Sequence, residues 1–191
     1  MRLAMALLAL LAVALPAQAR KRGPPREVPI DMIVIHSTGG PTCDAEGHPV
    51  WIKAGTLEED LRTIEAHPQL GIHYMIDRDG TVKASVPEDQ VAYHVFTYSA
   101  RSIAIELVND GDGVDPFPRP QLDAAAALIH DIAARRGITR GNVKRHSDLD
   151  HGRMACDPSR RRKVDPGAAF PFKAVLDAAF PPAATPSGER R

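Results

Sequence analysis

The chain is short of cysteine, of net charge and of long apolar runs, and each shortage closes off a class of protein. Only two cysteines, Cys43 and Cys156, stand among 191 residues, so a framework of several disulfides is excluded. One bridge between them is permissible in an exported protein, and the sequence leaves that pairing open. Lys and Arg total 24 against 24 Asp and Glu, which argues against a general nucleic-acid binder, since that needs a strong basic excess. After the first apolar run, Leu3 to Leu15, there is no second long apolar stretch, so stable membrane insertion is not expected. No internal repeat is present.

What is present begins with a leader. Arg2 precedes the apolar run, and Pro16-Ala17-Gln18-Ala19 offers small residues at cleavage positions, the pattern of a secretory signal peptide. The run falls short of the ~20 residues that cross a bilayer. No cysteine directly follows Ala19, so a bacterial lipid anchor is not signalled. Residues 1–19 are therefore expected to be removed, and the mature chain to be periplasmic or secreted. Loss of Arg2 leaves the mature chain at a net charge of about −1. Residues 20–29, mixed Lys, Arg, Gly and Pro, read as a flexible lead-in. Residues 30–180 are long enough for one domain with a real core, and 181–191 read as a flexible tail.

Local patterns predict an α/β (α+β) domain. Met32-Ile33-Val34-Ile35-His36 is apolar on both alternating faces, as an interior strand requires, and Ser37-Thr38-Gly39-Gly40-Pro41 predicts a turn after it. Thr56 is placed to cap a helix carrying Leu57, Leu61 and Ile64, with Glu58, Glu59 and Asp60 in its first turn. Asp79-Gly80 between Ile72–Asp77 and Thr81–Val86 predicts a hairpin. Ser102–Val108 reads as a strand with Ile103, Ile105 and Leu107 on one face and Glu106 on the other. A loop over Asn109–Pro120 leads to a helix over Gln121–Arg136 that ends at Gly137. Ser147–Val164 reads as a polar loop, and Phe172–Phe180 as a last short helix.

The chemistry concentrates at three places: Ile35-His36-Ser37-Thr38 at a strand's end, Arg145-His146-Ser147-Asp148, and Lys163-Val164-Asp165-Pro166-Gly167. Two imidazoles and one carboxylate suit an open catalytic zinc site that keeps a position for water. Either histidine alone reads as an ordinary surface or hydrogen-bonded core side chain, and spacing by itself does not choose. The order of the stations does. Ile35-His36-Ser37, Gly71-Ile72-His73-Tyr74, Asp79-Gly80-Thr81-Val82, Ala92-Tyr93-His94, Ser102-Ile103-Ala104-Ile105-Glu106-Leu107, His146-Ser147-Asp148 and Lys163-Val164-Asp165-Pro166-Gly167 follow one another along the chain. Over about residues 30 to 172 the sequence resembles the type 2 N-acetylmuramoyl-L-alanine amidases, which include AmpD-like and AmiD-like bacterial enzymes and are related to peptidoglycan recognition proteins.

The resemblance implies a mixed β-sheet flanked by helices, a zinc amidase domain over 30–180, and Zn2+ held by His36, His146 and Asp165. It implies that Glu106 is the general base and Lys163 the group that steadies the oxyanion as zinc-activated water attacks the lactyl carbonyl of N-acetylmuramic acid. Glu106 supports this from the residues too, because an unpartnered carboxylate in so apolar a run is costly to bury. Relatives that lack this acid use a tyrosine that aligns near Ile72, and this chain has the acid and not the tyrosine. His94 matches a family histidine near the substrate cleft, with a plain surface role as its alternative. The stretch between His146 and Asp165 is longer than the compact pattern and carries Asp148, Asp150, His151, Cys156 and Asp157, of which Cys156 is the chief rival to Asp165 as a ligand. The expected substrate is peptidoglycan or its muropeptides. A non-catalytic peptidoglycan-binding module and a zinc peptidase acting within the stem peptide remain as other readings.

Overall fold

Runs of isoleucine and valine decide where the backbone is buried. The computed structural model describes residues 23–182, so the expected signal peptide and most of the expected tail lie outside the described residues. The strands are β1 (Met32–Ser37), β2 (Gly40–Cys43), β3 (Pro49–Ile52), β4 (Tyr74–Ile76), β5 (Val82–Ala84), β6 (Ser102–Leu107) and β7 (Val143–Arg145). The helices are α1 (Leu57–Ala66), α2 (Arg119–Arg136), the single turn α3 (His146–Leu149) and α4 (Phe172–Ala179). Five strands form a sheet in the order β5-β4-β6-β1-β7. β1 pairs in parallel with β6 and β7, β4 pairs in parallel with β6, and β5 closes the edge antiparallel to β4. The mixed sheet expected from the resemblance is therefore present.

Every residue of β1 and β6 is buried, as suits strands covered on both faces. Ile33, Ile35, Ile103, Ile105 and Leu107 meet Ala125, Ile129 and Ile132 of α2 and Val175 and Leu176 of α4 on one side. On the other, Leu57 and Leu61 of α1 cover Met75, Ala104 and Val108. The result is three layers, helix pair, sheet and single helix.

Termini follow local chemistry. Thr56 caps α1 in a reciprocal capping box with Glu59, which satisfies donors that the first turn cannot pair itself. Gly137 ends α2 in the left-handed conformation at φ 69°, where a side chain would be strained. Gly80 turns the β4–β5 hairpin at φ 91°.

Three expectations change. Gly40 and Pro41, expected as turn, begin β2, and Trp51 lies in β3. These two strands form a separate ribbon with Gly40 opposite Ile52. β2 is half-buried throughout and β3 largely exposed, so the ribbon lacks the apolar alternation that marks a strand. β7 was hidden by its length and its basic pair, Lys144-Arg145. The end of the lead-in is also tied down: Pro25 bridges Gln90, and Arg26 donates to the carbonyls of Glu88, Ala100 and Ser102 at 2.6, 2.7 and 2.8 Å. A guanidinium with five donors anchors a segment that has no apolar face.

Candidate metal centre and cleft

The sheet register begins the site. In the parallel β1–β6 pair His36 stands opposite Glu106, so both side chains leave the same face at the carboxyl ends of the strands. β7 flanks β1 on its other side, and the chain turns directly from Arg145 into His146 at the start of α3. The loop bearing Asp165 is held there because the Ser147 N–H donates to the Asp165 carbonyl at 3.1 Å.

Three atoms converge. His36 Nδ1 lies 2.9 Å from His146 Nδ1, and Asp165 Oδ2 lies 2.9 Å from His146 Nδ1 and 3.2 Å from His36 Nδ1. All three residues are buried, and among the described residues this is the only cluster of three His, Cys, Asp or Glu side chains placed to hold a metal ion. Each atom turns a lone pair toward one point. A single proton can serve only one pair of them, whereas a shared divalent cation serves all three. Two imidazoles and a carboxylate are also the donor set of open zinc centres, so these residues fit the metal that the resemblance implies.

The rivals of Asp165 are engaged elsewhere. Cys156 forms a disulfide with Cys43, which takes it out of contention and joins β2 to the long loop. Asp148 accepts from Arg145, Asp157 from Ser159, and the His151 ring meets Arg161. Asp150 is buried and accepts from Arg162 Nε at 2.9 Å, with its Oδ2 3.9 Å from His146 Nε2. It faces the far side of the His146 ring, beyond hydrogen-bonding distance.

The two site carboxyls are driven apart. Burial, reinforced by the charge of Asp165 and partly offset by Lys163, pushes Glu106 up to about 8. Burial alone would also raise Asp165, but the close contact of its Oδ2 with the His146 and His36 rings holds it far below the usual carboxylate range. Burial, and then the neighbouring His146, lowers His36 to about 4, leaving its lone pair available.

A groove of about 570 Å³ runs from Thr38 and Ile52 to Glu106, Asp165 and Lys163. A second hollow of about 580 Å³ adjoins it past His94 and His146, walled by Leu70, Tyr93 and Phe96. The exposed Lys163 lines both. Phe96 holds a positive φ of 42°, and the Arg162 guanidinium lies over its ring at 4.7 Å. His94, expected at the cleft, lines both hollows and also stands 2.9 Å from His36 through its Nδ1. Arg101 pairs with Asp31 at the surface. His73 is wholly buried and accepts from the Ala104 N–H.

With this geometry, the sequence matches the family profile described as N-acetylmuramoyl-L-alanine amidase (Amidase_2) over residues 26–168. The chain belongs to the type 2 N-acetylmuramoyl-L-alanine amidases, a family of enzymes. The 1,6-anhydro-N-acetylmuramyl-L-alanine amidase AmpD of Enterobacter cloacae is 31% identical over 153 residues, covering 73% of this chain and 75% of that protein. AmiD of E. coli, solved with anhydro-N-acetylmuramic acid-L-Ala-D-gamma-Glu-L-Lys, superposes with a TM-score of 0.61 at 26% identity over 79% of this chain. This chain spans 58% of that protein's length. Drosophila PGRP-LB shares the fold, with a TM-score of 0.58 at 19% identity, covering 87% of this chain and 89% of its own.

Sequence reasoning overlooked Ser102, whose hydroxyl lies 3.0 Å from His94 Nε2, and it named Asp150 only as a rival ligand. Neither carries a motif of its own. Their places beside the histidines come from contacts that close only in three dimensions.

Proposed function

We propose that this chain hydrolyses the amide between the lactyl group of N-acetylmuramic acid and L-alanine in peptidoglycan or its fragments. The observation that carries the reading is the convergence of His36 Nδ1, His146 Nδ1 and Asp165 Oδ2 beside a buried Glu106, at the mouth of a groove in an amidase fold. Zinc held by these three residues would supply a Lewis acid and a water acidified to a pKa of about 7. Glu106, as the carboxylate, takes a proton from the attacking water and holds it until the leaving group needs it. The Lys163 ammonium faces the groove and offsets negative charge on the carbonyl oxygen. Glu106 then passes its proton to the alanine nitrogen as the C–N bond breaks. The products are a free lactyl carboxyl and a free L-alanine amine.

The relatives' names and the solved AmiD complex support muramyl peptides as the substrate class. The leader pattern supports action outside the cytoplasm, on wall material. Cell fractionation with N-terminal sequencing tests that location, and a mature N-terminus at Arg20 is expected. Digestion of purified peptidoglycan, with the new amine terminus identified, tests the reaction. L-alanine is expected, a terminus deeper in the stem would mean a peptidase, and no new terminus would mean a binding module. Glu106→Gln should retain zinc and lose about 100-fold or more in kcat.

A further inference from the structure

We propose that His94 is a positioning residue that dictates which nitrogen His36 turns to the metal, and that Ser102 and the Tyr98 carbonyl dictate the state of His94. The inference rests on the zinc-centre reading above and adds a hydrogen-bond relay behind it.

Direction is the core of the argument. A backbone carbonyl can only accept. Ser102 Oγ lies 2.7 Å from the Tyr98 carbonyl, so its hydroxyl hydrogen goes there and its oxygen is left to accept. His94 Nε2 stands 3.0 Å from that oxygen and must therefore be the donor. A neutral imidazole carries one N–H, so His94 Nδ1 is an acceptor. His36 Nε2 lies 2.9 Å from it and donates. His36 Nδ1 thereby keeps its lone pair, aimed at His146 and Asp165. Any reversal along this line puts a hydrogen on His36 Nδ1, the atom that faces the metal.

The backbone holds the relay in place. Ser102 is fully buried at the first position of β6. The N–H groups of His94 and Val95 donate to Ser99 Oγ at 3.0 and 2.9 Å, which fixes the turn that presents the ring. The His94 and His36 rings meet edge to face, with centroids 5.0 Å apart and planes at 83°. Because both nitrogens of His94 are committed, it meets substrate with ring carbons, and it shapes the cleft instead of hydrogen-bonding its contents. The two histidines thus have different surroundings, a hydrogen-bonded relay behind His36 and, behind His146, the Asp150 carboxylate at 3.9 Å.

The test measures zinc affinity by competition with a chromophoric chelator in wild type, His94→Leu, His94→Asn and Ser102→Ala, with thermal melting of each metal-free protein as a check on folding. His94→Leu should weaken zinc about 10- to 100-fold, the cost typical of losing such a support. His94→Asn places a carboxamide oxygen where Nδ1 stood and should restore affinity close to wild type. Ser102→Ala should show a smaller loss, although it touches no ligand. Long-range proton–nitrogen NMR of the zinc-loaded protein should show His94 and His36 protonated at Nε2. Folded His94→Leu with wild-type zinc affinity, or a His94 protonated at Nδ1, would overturn the relay. A wild-type protein that binds no zinc would instead overturn the metal-centre reading, and the His94 tautomer would still report on the relay.

Discussion

Glu106 sits among buried apolar residues, and its protonation links the stability of the metal-free protein to its chemistry. Its folded value of about 8 lies above the ordinary carboxylate value, first because burial penalises the charge and then because Asp165 is near. The folded state therefore holds a proton that the unfolded chain releases, and this contribution to stability is full at low pH and is lost as pH rises toward 8. Glu106→Gln removes the dependence. Without metal, the variant should gain on wild type as pH climbs from about 4.5 to 8, reaching an advantage of about 2–4 kcal/mol in denaturant melts. Equal stability at pH 8 would show that Glu106 is not desolvated. His36 shifts the opposite way and acts mostly below pH 6.5, but it is common to both proteins and cancels in the comparison. That His36, Glu106, His146, Lys163 and Asp165 meet at one groove was legible in the sequence because each sits in a short station whose order resembles one family. The link from Ser102 through His94 to His36 was not, since it depends on hydrogen-bond direction between segments 58 residues apart.

Among the elements, the β2–β3 ribbon and the loop from Asp150 to Asp165 are joined by the Cys43–Cys156 disulfide, which spans 113 residues of chain. Closing so long a loop restricts the unfolded ensemble and stabilises the fold by about 5 kcal/mol on a chain-entropy model. The same bond holds the ribbon against the loop that supplies Lys163 and Asp165. Cys43→Ser with Cys156→Ser should melt well below wild type while still binding zinc, because neither sulfur is a ligand. Zinc loss at unchanged stability would return Cys156 to the ligand set. The predicted α2 and the β4–β5 hairpin appear close to their expected places because periodicity and turn residues act locally. The ribbon, β7 and α3 escaped prediction for a common reason: they are too short or too exposed to impose an apolar pattern, and long-range backbone pairing and the disulfide place them.

At the scale of the whole molecule, a mixed sheet with helices on both faces serves as a rigid mount. Its parallel strands deliver His36, Glu106 and His146 to one end, and the stapled loop brings Asp165 and Lys163 over them. The fold class was readable from alternating strand and helix signals, whereas the cleft was not, because its walls come from segments with no shared motif. In the proposed reaction, one zinc ion on His36, His146 and Asp165 supports cleavage of the muramyl–alanine bond. The most direct measurement strips the metal with a chelator, restores zinc in steps, and follows release of peptide with a free L-alanine amine from a defined muropeptide. No release is expected without metal, and a plateau at one zinc per chain that is absent in Asp165→Ala. Full hydrolysis in chelator, or a plateau unchanged in that variant, would contradict it.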